Sequence, residues 1–162
     1  MIKLNNISKR YPGGQEALSG LDLLISKGEM VFITGHSGAG KSTLLRLIAL
    51  IDRPSDGQII IDNQNIGRIR RRNISKYRRQ IGIVFQDHKL LYDRTIHDNV
   101  ALPLIISGIS RQEAKRRVRA ALDQVNLLQK EKQKPETLSA GEQQRVGIAR
   151  AIVTKPKLLI AD

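Results

Sequence analysis

The segment Gly35-His36-Ser37-Gly38-Ala39-Gly40-Lys41-Ser42 decides the fold of this chain. It matches the phosphate-binding loop pattern GxxxxGK[ST] at every fixed position. Its glycines permit a tight turn in which successive backbone N–H groups point into one concavity that suits phosphate oxygens. Lys41 is placed to reach the β- and γ-phosphates, and the Ser42 hydroxyl is placed to bind Mg²⁺. The segment therefore predicts a nucleotide-binding site.

The residues on both sides of the loop support this interpretation over a chance match. Met30–Thr34 is a short apolar run with the composition of a β-strand. The run from Thr43 to Leu50 is rich in residues that favour helices. A strand, a glycine loop and a helix form the context that the motif requires.

Composition indicates one folded domain. The chain has 162 residues, 40% of them hydrophobic, and no cysteine, which excludes disulfides and thiolate metal sites. The N-terminus lacks the layout of a signal peptide, and the longest apolar stretches are too short to span a bilayer. We expect a soluble cytoplasmic protein.

The net charge of +13 is unusually high, and much of it lies in two clusters. Such clusters suit either an anionic surface, such as nucleic acid or a membrane, or ordinary solvated helix faces. No aromatic residues alternate with the arginines, and no nucleic-acid-binding motif is present. A solvated or membrane-proximal face is therefore favoured, and no nucleic acid is expected as a partner. The clusters are Arg68, Arg70, Arg71, Arg72, Lys76, Arg78 and Arg79, and Arg111, Lys115, Arg116, Arg117 and Arg119.

Hydrophobic patterns and turn residues predict an α/β fold in which antiparallel strands precede strands that alternate with helices. Two helices have predicted capping boxes, Ser110 with Glu113 and Ser139 with Glu142, and extend to Asn126 and about Val153. Apolar residues recur on one face of the first of these helices. The further predicted strands are Met1–Ser8, Leu18–Ile25, Gly57–Asp62, Ile81–Phe85 and Lys157–Asp162.

Two segments add chemistry to the loop. Leu158–Asp162 is an apolar strand that ends in an acid, a position from which phosphate-loop ATPases support Mg²⁺, although many ordinary strands end in this way. The segment Leu138-Ser139-Ala140-Gly141-Glu142-Gln143-Gln144 has the small residues and capping serine of a helix N-terminus. Such a terminus is either a second anion-binding position or only a well-capped helix.

The second segment closely resembles the LSGGQ signature of ABC-type ATPases. The chain also carries, in that family's order, Tyr11 at the position of the adenine-stacking aromatic, the phosphate loop, Gln86 after the strand Ile81–Phe85, and Asp162. The resemblance implies a phosphate-loop ABC-type nucleotide-binding domain with a mixed sheet, an N-terminal antiparallel β part and a helical lobe. It implies one domain over 1–162, with its core in 1–86 and 154–162 and its lobe and signature helix in 87–153.

The same resemblance implies the cofactors ATP and Mg²⁺ and a set of site residues. Lys41, Gln86 and Ser139 are the expected catalytic residues, with Ser139 acting on the nucleotide of a second subunit. Ser42, Gln86 and Asp162 are the expected Mg²⁺ ligands. The expected ATP contacts are Tyr11, Gly35, His36, Ser37, Gly38, Ala39, Gly40, Lys41, Ser42, Thr43, Gln86, Ser139, Gly141 and Glu142.

The resemblance further implies a homodimer that sandwiches ATP, docked through the region from Gln86 to Leu104 onto a polytopic membrane subunit. The expected location is the cytoplasmic, inner face of the cell membrane. The segments Thr34–Thr43, Phe85–Thr95 and Asp98–Leu104 look most like those of bacterial cell-division ATP-binding subunits. ATPase subunits of lipoprotein-release and macrolide-export transporters share the general pattern and are the alternative.

The chain departs from the family pattern in two ways. Ala140 stands where the signature usually has glycine. The chain also stops at Asp162, whereas the family continues with a glutamate that polarises the attacking water. The resemblance therefore implies that the C-terminal part of the domain is missing. The intact protein is expected to be an ATPase, and the alternative for this chain is nucleotide binding without hydrolysis.

Overall fold

The computed structural model describes residues 1–162, which form two compact units, Met1–Ser75 and Lys76–Asp162. The short helix α2, Ile74–Arg78, contains the boundary between them. No helix in the chain is both long enough and apolar enough to cross a membrane.

The first unit is built on an antiparallel sheet of four strands. The strands are β1 (Ile2–Arg10), β2 (Glu16–Ile25), β3 (Asp56–Ile61) and β4 (Gln64–Asn65), in the order β2-β1-β3-β4. Leu4 of β1 lies opposite Leu23 of β2 and Ile59 of β3, which fixes the register. The unit also contains helix α1, Lys41–Ile48. Its fully buried side chains include Leu4, Ile7, Leu47, Ile59 and Ile66.

The second unit combines a pair of parallel strands with three helices. The strands are β5 (Ile81–Val84) and β6 (Leu158–Ala161). The helices are α3 (Ile96–Ile106), α4 (Arg111–Gln124) and α5 (Ala140–Ile152). They enclose one hydrophobic cluster, so the helical part of this unit has its own core. The cluster includes Leu90, Ile96, Val100, Leu104, Ala114, Val118, Leu122, Leu127, Leu138, Val146 and Ala149.

The two predicted helix starts are both present, but only one has a complete capping box. At α5 the Ser139 hydroxyl accepts from Glu142 N–H and the Glu142 carboxylate accepts from Ser139 N–H, as predicted. At α4 the Ser110 hydroxyl accepts from Glu113 N–H. The Glu113 carboxylate instead bonds Arg116 and Arg117, which lie on the following turn of the helix. The predicted box of α4 is therefore half formed, because two cations compete for its carboxylate.

The predicted strand Met30–Thr34 is not a strand in the structure. None of the six strands pairs with this segment, and the side chains of Met30 and Phe32 are 81% and 83% exposed. Apolar, β-branched composition favours an extended chain, but a strand also needs a neighbour that completes its hydrogen bonds. The other predicted strands are present with ends that differ by one or two residues. Helix α1 begins at Lys41, inside the loop motif, rather than at Thr43.

Candidate nucleotide-binding site

The predicted phosphate-binding loop leads directly into helix α1. Gly38 and Gly40 have φ angles of 81° and 85°, in the left-handed region that other residues adopt at a cost. Gly40 is the N-cap of α1 and offers no side-chain acceptor to the first helical N–H groups. No acidic residue lies in the first turn. The positive end of the helix is therefore not neutralised by the protein's own carboxylates, which favours an anionic ligand.

Gly40 also lies against strand β2 of the same unit. A β-carbon at position 40 would overlap the carbonyl oxygen of Ala17 and lie 2.8 Å from Leu18 Cδ2. By contrast, a β-carbon at Gly38 would meet nothing within 4 Å. The third glycine of the motif is therefore required both by its backbone angle and by the close approach of the loop to the sheet.

Lys41 is held across the loop. Its ammonium donates to the carbonyl oxygens of Gly35 and His36, each at 2.8 Å. The His36 ring nitrogen Nδ1 lies 2.8 Å from the Ser37 carbonyl oxygen, and Ala39 N–H donates to His36 O at 3.2 Å. The loop residues are exposed up to Ala39. A cation, a helix N-terminus and a compact exposed loop thus occur together, an arrangement that can bind phosphate groups.

Tyr11, the predicted adenine contact, is tied to α1 and the residues that follow it. Its hydroxyl donates to Asp52 Oδ2 at 3.1 Å and lies 3.4 Å from Thr43 Oγ1. Arg46 bonds the same Asp52 carboxylate at 2.7 Å, and this bond, helped by the Tyr11 hydroxyl, lowers the pKa of Asp52. The aromatic ring is therefore anchored near the start of α1 through its hydroxyl group. Sequence reasoning did not identify Asp52 or Arg46, whose roles depend on this contact.

Gln86 and Asp162, predicted to bind Mg²⁺, follow the two parallel strands of the second unit. Val84 of β5 is in register with Ala161 of β6, and Asp162 N–H donates to Val84 O at 3.1 Å. The two residues therefore lie beyond the same edge of the strand pair, at the carboxyl ends where ligands bind in α/β sheets. Amide and carboxylate oxygens are donors that suit Mg²⁺, so this pair fits part of a magnesium site.

The predicted signature residues lie together at the start of α5. Ser139 and Gly141 are exposed, and a β-carbon at Gly141 would meet nothing within 4 Å. Glu142 has a structural role here, because its carboxylate closes the capping box and accepts from Lys130 Nζ at 2.6 Å. The hydrogen bond from Lys130 has the largest effect on the pKa of Glu142 and lowers it, and the bond from the Ser139 backbone lowers it further. The helix start is therefore well capped, and it is open in front of Ser139 and Gly141.

The two basic clusters differ in their partners. In the cluster on α4, Arg116 and Arg117 pair with Glu113, and Arg119 pairs with Glu131, as expected for a solvated helix face. In the other cluster, the exposed arginines at 68, 70, 71 and 72 have no carboxylate within ion-pair distance. The ion pairs on α4 agree with the interpretation of that cluster as a solvated helix face. The arginines at 68–72 instead form a basic surface whose charge is not balanced by nearby carboxylates.

Comparison with known protein families gives one family. The model described as "ABC transporter" matches residues 18–162. Among individual proteins, the cell division ATP-binding protein FtsE of Escherichia coli K12 is 57% identical over 162 residues, covering the whole of this chain and 73% of that protein. FtsE of Bacillus subtilis is 45% identical over 162 residues, and the match covers 71% of that protein. The methionine import ATP-binding protein MetN of Cupriavidus metallidurans is 44% identical over 165 residues, and the match covers 48% of that protein.

Solved structures give the same result. A dimeric post-hydrolysis state of the ATP-binding cassette MJ0796, bound to ADP and Pi, superposes with a TM-score of 0.93 and 39% identity over the whole of this chain and 73% of that one. The cassette cbiO1 of Clostridium perfringens, part of the transporter complex cbiONQ, gives a TM-score of 0.88 at 34% identity, covering 99% of this chain and 64% of that one. The chain therefore belongs to the ABC transporter family and has the α/β fold of its ATPase cassettes.

Proposed function

We propose that this chain is the ATP-binding subunit of a membrane complex that acts in bacterial cell division and couples ATP binding and hydrolysis to a membrane partner. The observation that carries the proposal is the 57% identity with FtsE of Escherichia coli over the full length of this chain. The loop supports it, because its glycines and Lys41 have a geometry suited to phosphate binding.

ATP would lie with its phosphates on residues 35–43, with Lys41 beside the β- and γ-phosphates and Tyr11 beside the adenine. The oxygens of Ser42, Gln86 and Asp162 are the proposed ligands of Mg²⁺, which supplies charge neutralisation at the transferred phosphoryl group. Ser139, Gly141 and Glu142 would present the N-terminus of α5 to the nucleotide of a second copy of the chain. Donors placed there stabilise negative charge in the transition state.

The proposed partners are a second copy of this chain and a polytopic membrane subunit of the FtsX type. The dimeric cassette MJ0796 supports the first of these. The membrane subunit would dock near residues 86–104, which include α3 with its half-exposed apolar residues Ile105 and Ile106 at 61% and 57%. The protein would thus work at the inner face of the cell membrane.

Replacing Lys41 by alanine in the full-length protein tests nucleotide binding. Loss of a charge-assisted hydrogen bond to phosphate costs about 1.5–3 kcal/mol, so the affinity for ATP should fall at least about tenfold. Phosphate release with ATP and Mg²⁺ should fall in parallel. Lys27→Ala is the matched control, because Lys27 is an exposed lysine of the same unit outside the loop. Equal ATP affinity in the Lys41→Ala and wild-type proteins would exclude the proposed site.

A second experiment separates a role in cell division from a role in transport. Transport is the alternative function, and the similarity to the methionine import protein MetN supports it. Cells that lack the gene should form filaments, and the wild-type gene should restore division where the Lys41→Ala gene does not. Normal division without the gene, together with loss of uptake or export of a small molecule, would instead support a transporter subunit. Phosphate release by the 162-residue chain itself distinguishes hydrolysis from binding alone.

A further inference from the structure

Arg150, near the end of α5, binds the segment that follows Gln86. Its Nη1 donates to the Lys89 carbonyl oxygen at 2.8 Å, and its Nη2 donates to the carbonyl oxygen of His88. Both partners precede it by about sixty residues in the chain. The planar guanidinium therefore bridges two consecutive backbone carbonyls in the same unit, which a lysine cannot do with the same geometry.

The segment that Arg150 binds has an unusual backbone. His88 and Lys89 have φ angles of 56° and 46°, so two consecutive residues with side chains are left-handed. Such residues persist only where the surroundings hold them in place. His88 N–H donates to Phe85 O at 3.0 Å, and Lys89 N–H donates to Asp87 O at 2.6 Å. Gln86 is therefore the residue at the start of a tight, strained turn whose carbonyls point to Arg150.

The surroundings of Arg150 indicate that it has a positional role. No carboxylate pairs with its guanidinium, and partial burial lowers its pKa, so the charge is partly removed from water without a counter-ion. A cation in such a place is unfavourable unless its hydrogen bonds compensate for the lost hydration. Beside it the His88 side chain packs against Gly147, with the Nδ1 atom of His88 buried and unpaired. The two bonds from Arg150 thus supply the hydrogen bonds of a contact between α5 and the turn that His88 otherwise makes by packing.

We propose that Arg150 is a positioning residue that fixes Gln86 by locking residues 87–89 onto α5, the helix whose N-cap is Ser139. This inference rests on the proposed ATPase function. Arg150 lies ten positions after Ala140, a distance of about 15 Å along the helix. Arg150 therefore joins the turn after Gln86 to the same rigid body as the signature residues, so that a movement of the turn and a movement of α5 must occur together.

The test uses Arg150→Lys in the full-length protein, which keeps the charge but replaces the planar fork of two donor nitrogens by one nitrogen on a shorter stem. The control is Arg145→Lys on the same helix, where the side chain is exposed and its nearest carboxylate is 4.0 Å away. We expect the ATP dissociation constant of Arg150→Lys to stay within about threefold of wild type, because the loop at 35–42 is unchanged. The kcat should fall at least about tenfold, and half-maximal activity should require more Mg²⁺.

Hydrogen exchange provides a readout apart from turnover. The amides of His88 and Lys89 should exchange faster in Arg150→Lys than in wild type, with and without ATP, and should be unchanged in Arg145→Lys. If Arg150→Lys does not fold, Arg150→Gln carries the same test, since it removes the charge and offers one shorter amide group in place of the guanidinium fork. A folded variant with wild-type kcat, Mg²⁺ dependence and exchange would overturn the inference. Turnover in wild type that does not depend on Lys41 would instead overturn the proposed function.

Discussion

Replacing Gly40 by alanine should destabilise the first unit by about 2–5 kcal/mol, and the size of the effect follows from two separate causes. The left-handed φ of 85° costs a residue with a side chain about 1–2 kcal/mol. The new β-carbon would overlap the Ala17 carbonyl oxygen and press on Leu18 Cδ2, and overpacking of this kind costs about 1–3 kcal/mol. The two costs act together because β2 and the start of α1 must move apart.

Gly14→Ala is the matched control for this experiment. Gly14 has almost the same φ, 86°, but a β-carbon there would meet nothing within 4 Å. It should therefore lose only about 1–2 kcal/mol from the backbone angle. The reduction in unfolded-state entropy that alanine causes is common to both variants and cancels in the comparison.

Urea unfolding measured side by side tests the difference. With a slope of about 2 kcal/mol per M, the midpoint should fall by about 1–2.5 M for Gly40→Ala and by about 0.5–1 M for Gly14→Ala. Equal shifts in the two variants would refute the reasoning, because they would show that the sheet yields to the extra methyl group at no cost. In that case glycine at position 40 would serve only the backbone angle.

Three further substitutions, one of them followed as a function of pH, test the packing of the second unit and an ion pair of the first. Gly82→Ala would push a methyl group into the Ala151 carbonyl oxygen and should destabilise the protein by about 1–3 kcal/mol. Gly147→Ala lies inside α5, where the nearest neighbour of the new β-carbon is at 4.0 Å, and should stabilise the protein by about 0.5–1 kcal/mol. Thermal unfolding that shifts the melting temperature of both variants in the same direction would contradict this. Arg46 lowers the pKa of Asp52 below its ordinary 3.8, so stability from this carboxylate is present above that pH and is lost as the pH falls through the folded-state value. Asp52→Asn should therefore show a flatter loss of stability below about pH 4 than wild type, and identical curves in acid unfolding would contradict this.

Local patterns predicted the elements whose stability is mainly local. The Ser139 capping box is correct in both halves because its two members are close in the chain and meet in any helix that begins there. The box at Ser110 is half formed, since the Glu113 carboxylate prefers Arg116 and Arg117 on the next turn. Helix α3 was not predicted as a separate element; it contains Pro103, which is unusual inside a helix.

Strand formation was less predictable because it requires a partner. Composition favoured a strand at Met30–Thr34, yet none of the six strands pairs with it in a ladder. The predicted strands that did form each have a neighbour, such as β6 beside β5. Dependence on a distant partner also explains why sequence reasoning did not identify Arg150. This residue donates to carbonyl oxygens about sixty residues earlier in the chain, and such a contact leaves no local sequence pattern.

The sequence alone determined the loop at Gly35–Ser42, the capped start of α5 and the family, because each of these depends on short runs of residues whose chemistry is local. The tertiary structure decided which glycine must stay small and which side chains hold the site in place. Ala17 meets Gly40, Asp52 anchors Tyr11, and Arg150 binds the turn after Gln86 only because the chain brings distant segments together. The backbone atoms and charged side chains that make these contacts are distant in the chain, so only the folded structure reveals them.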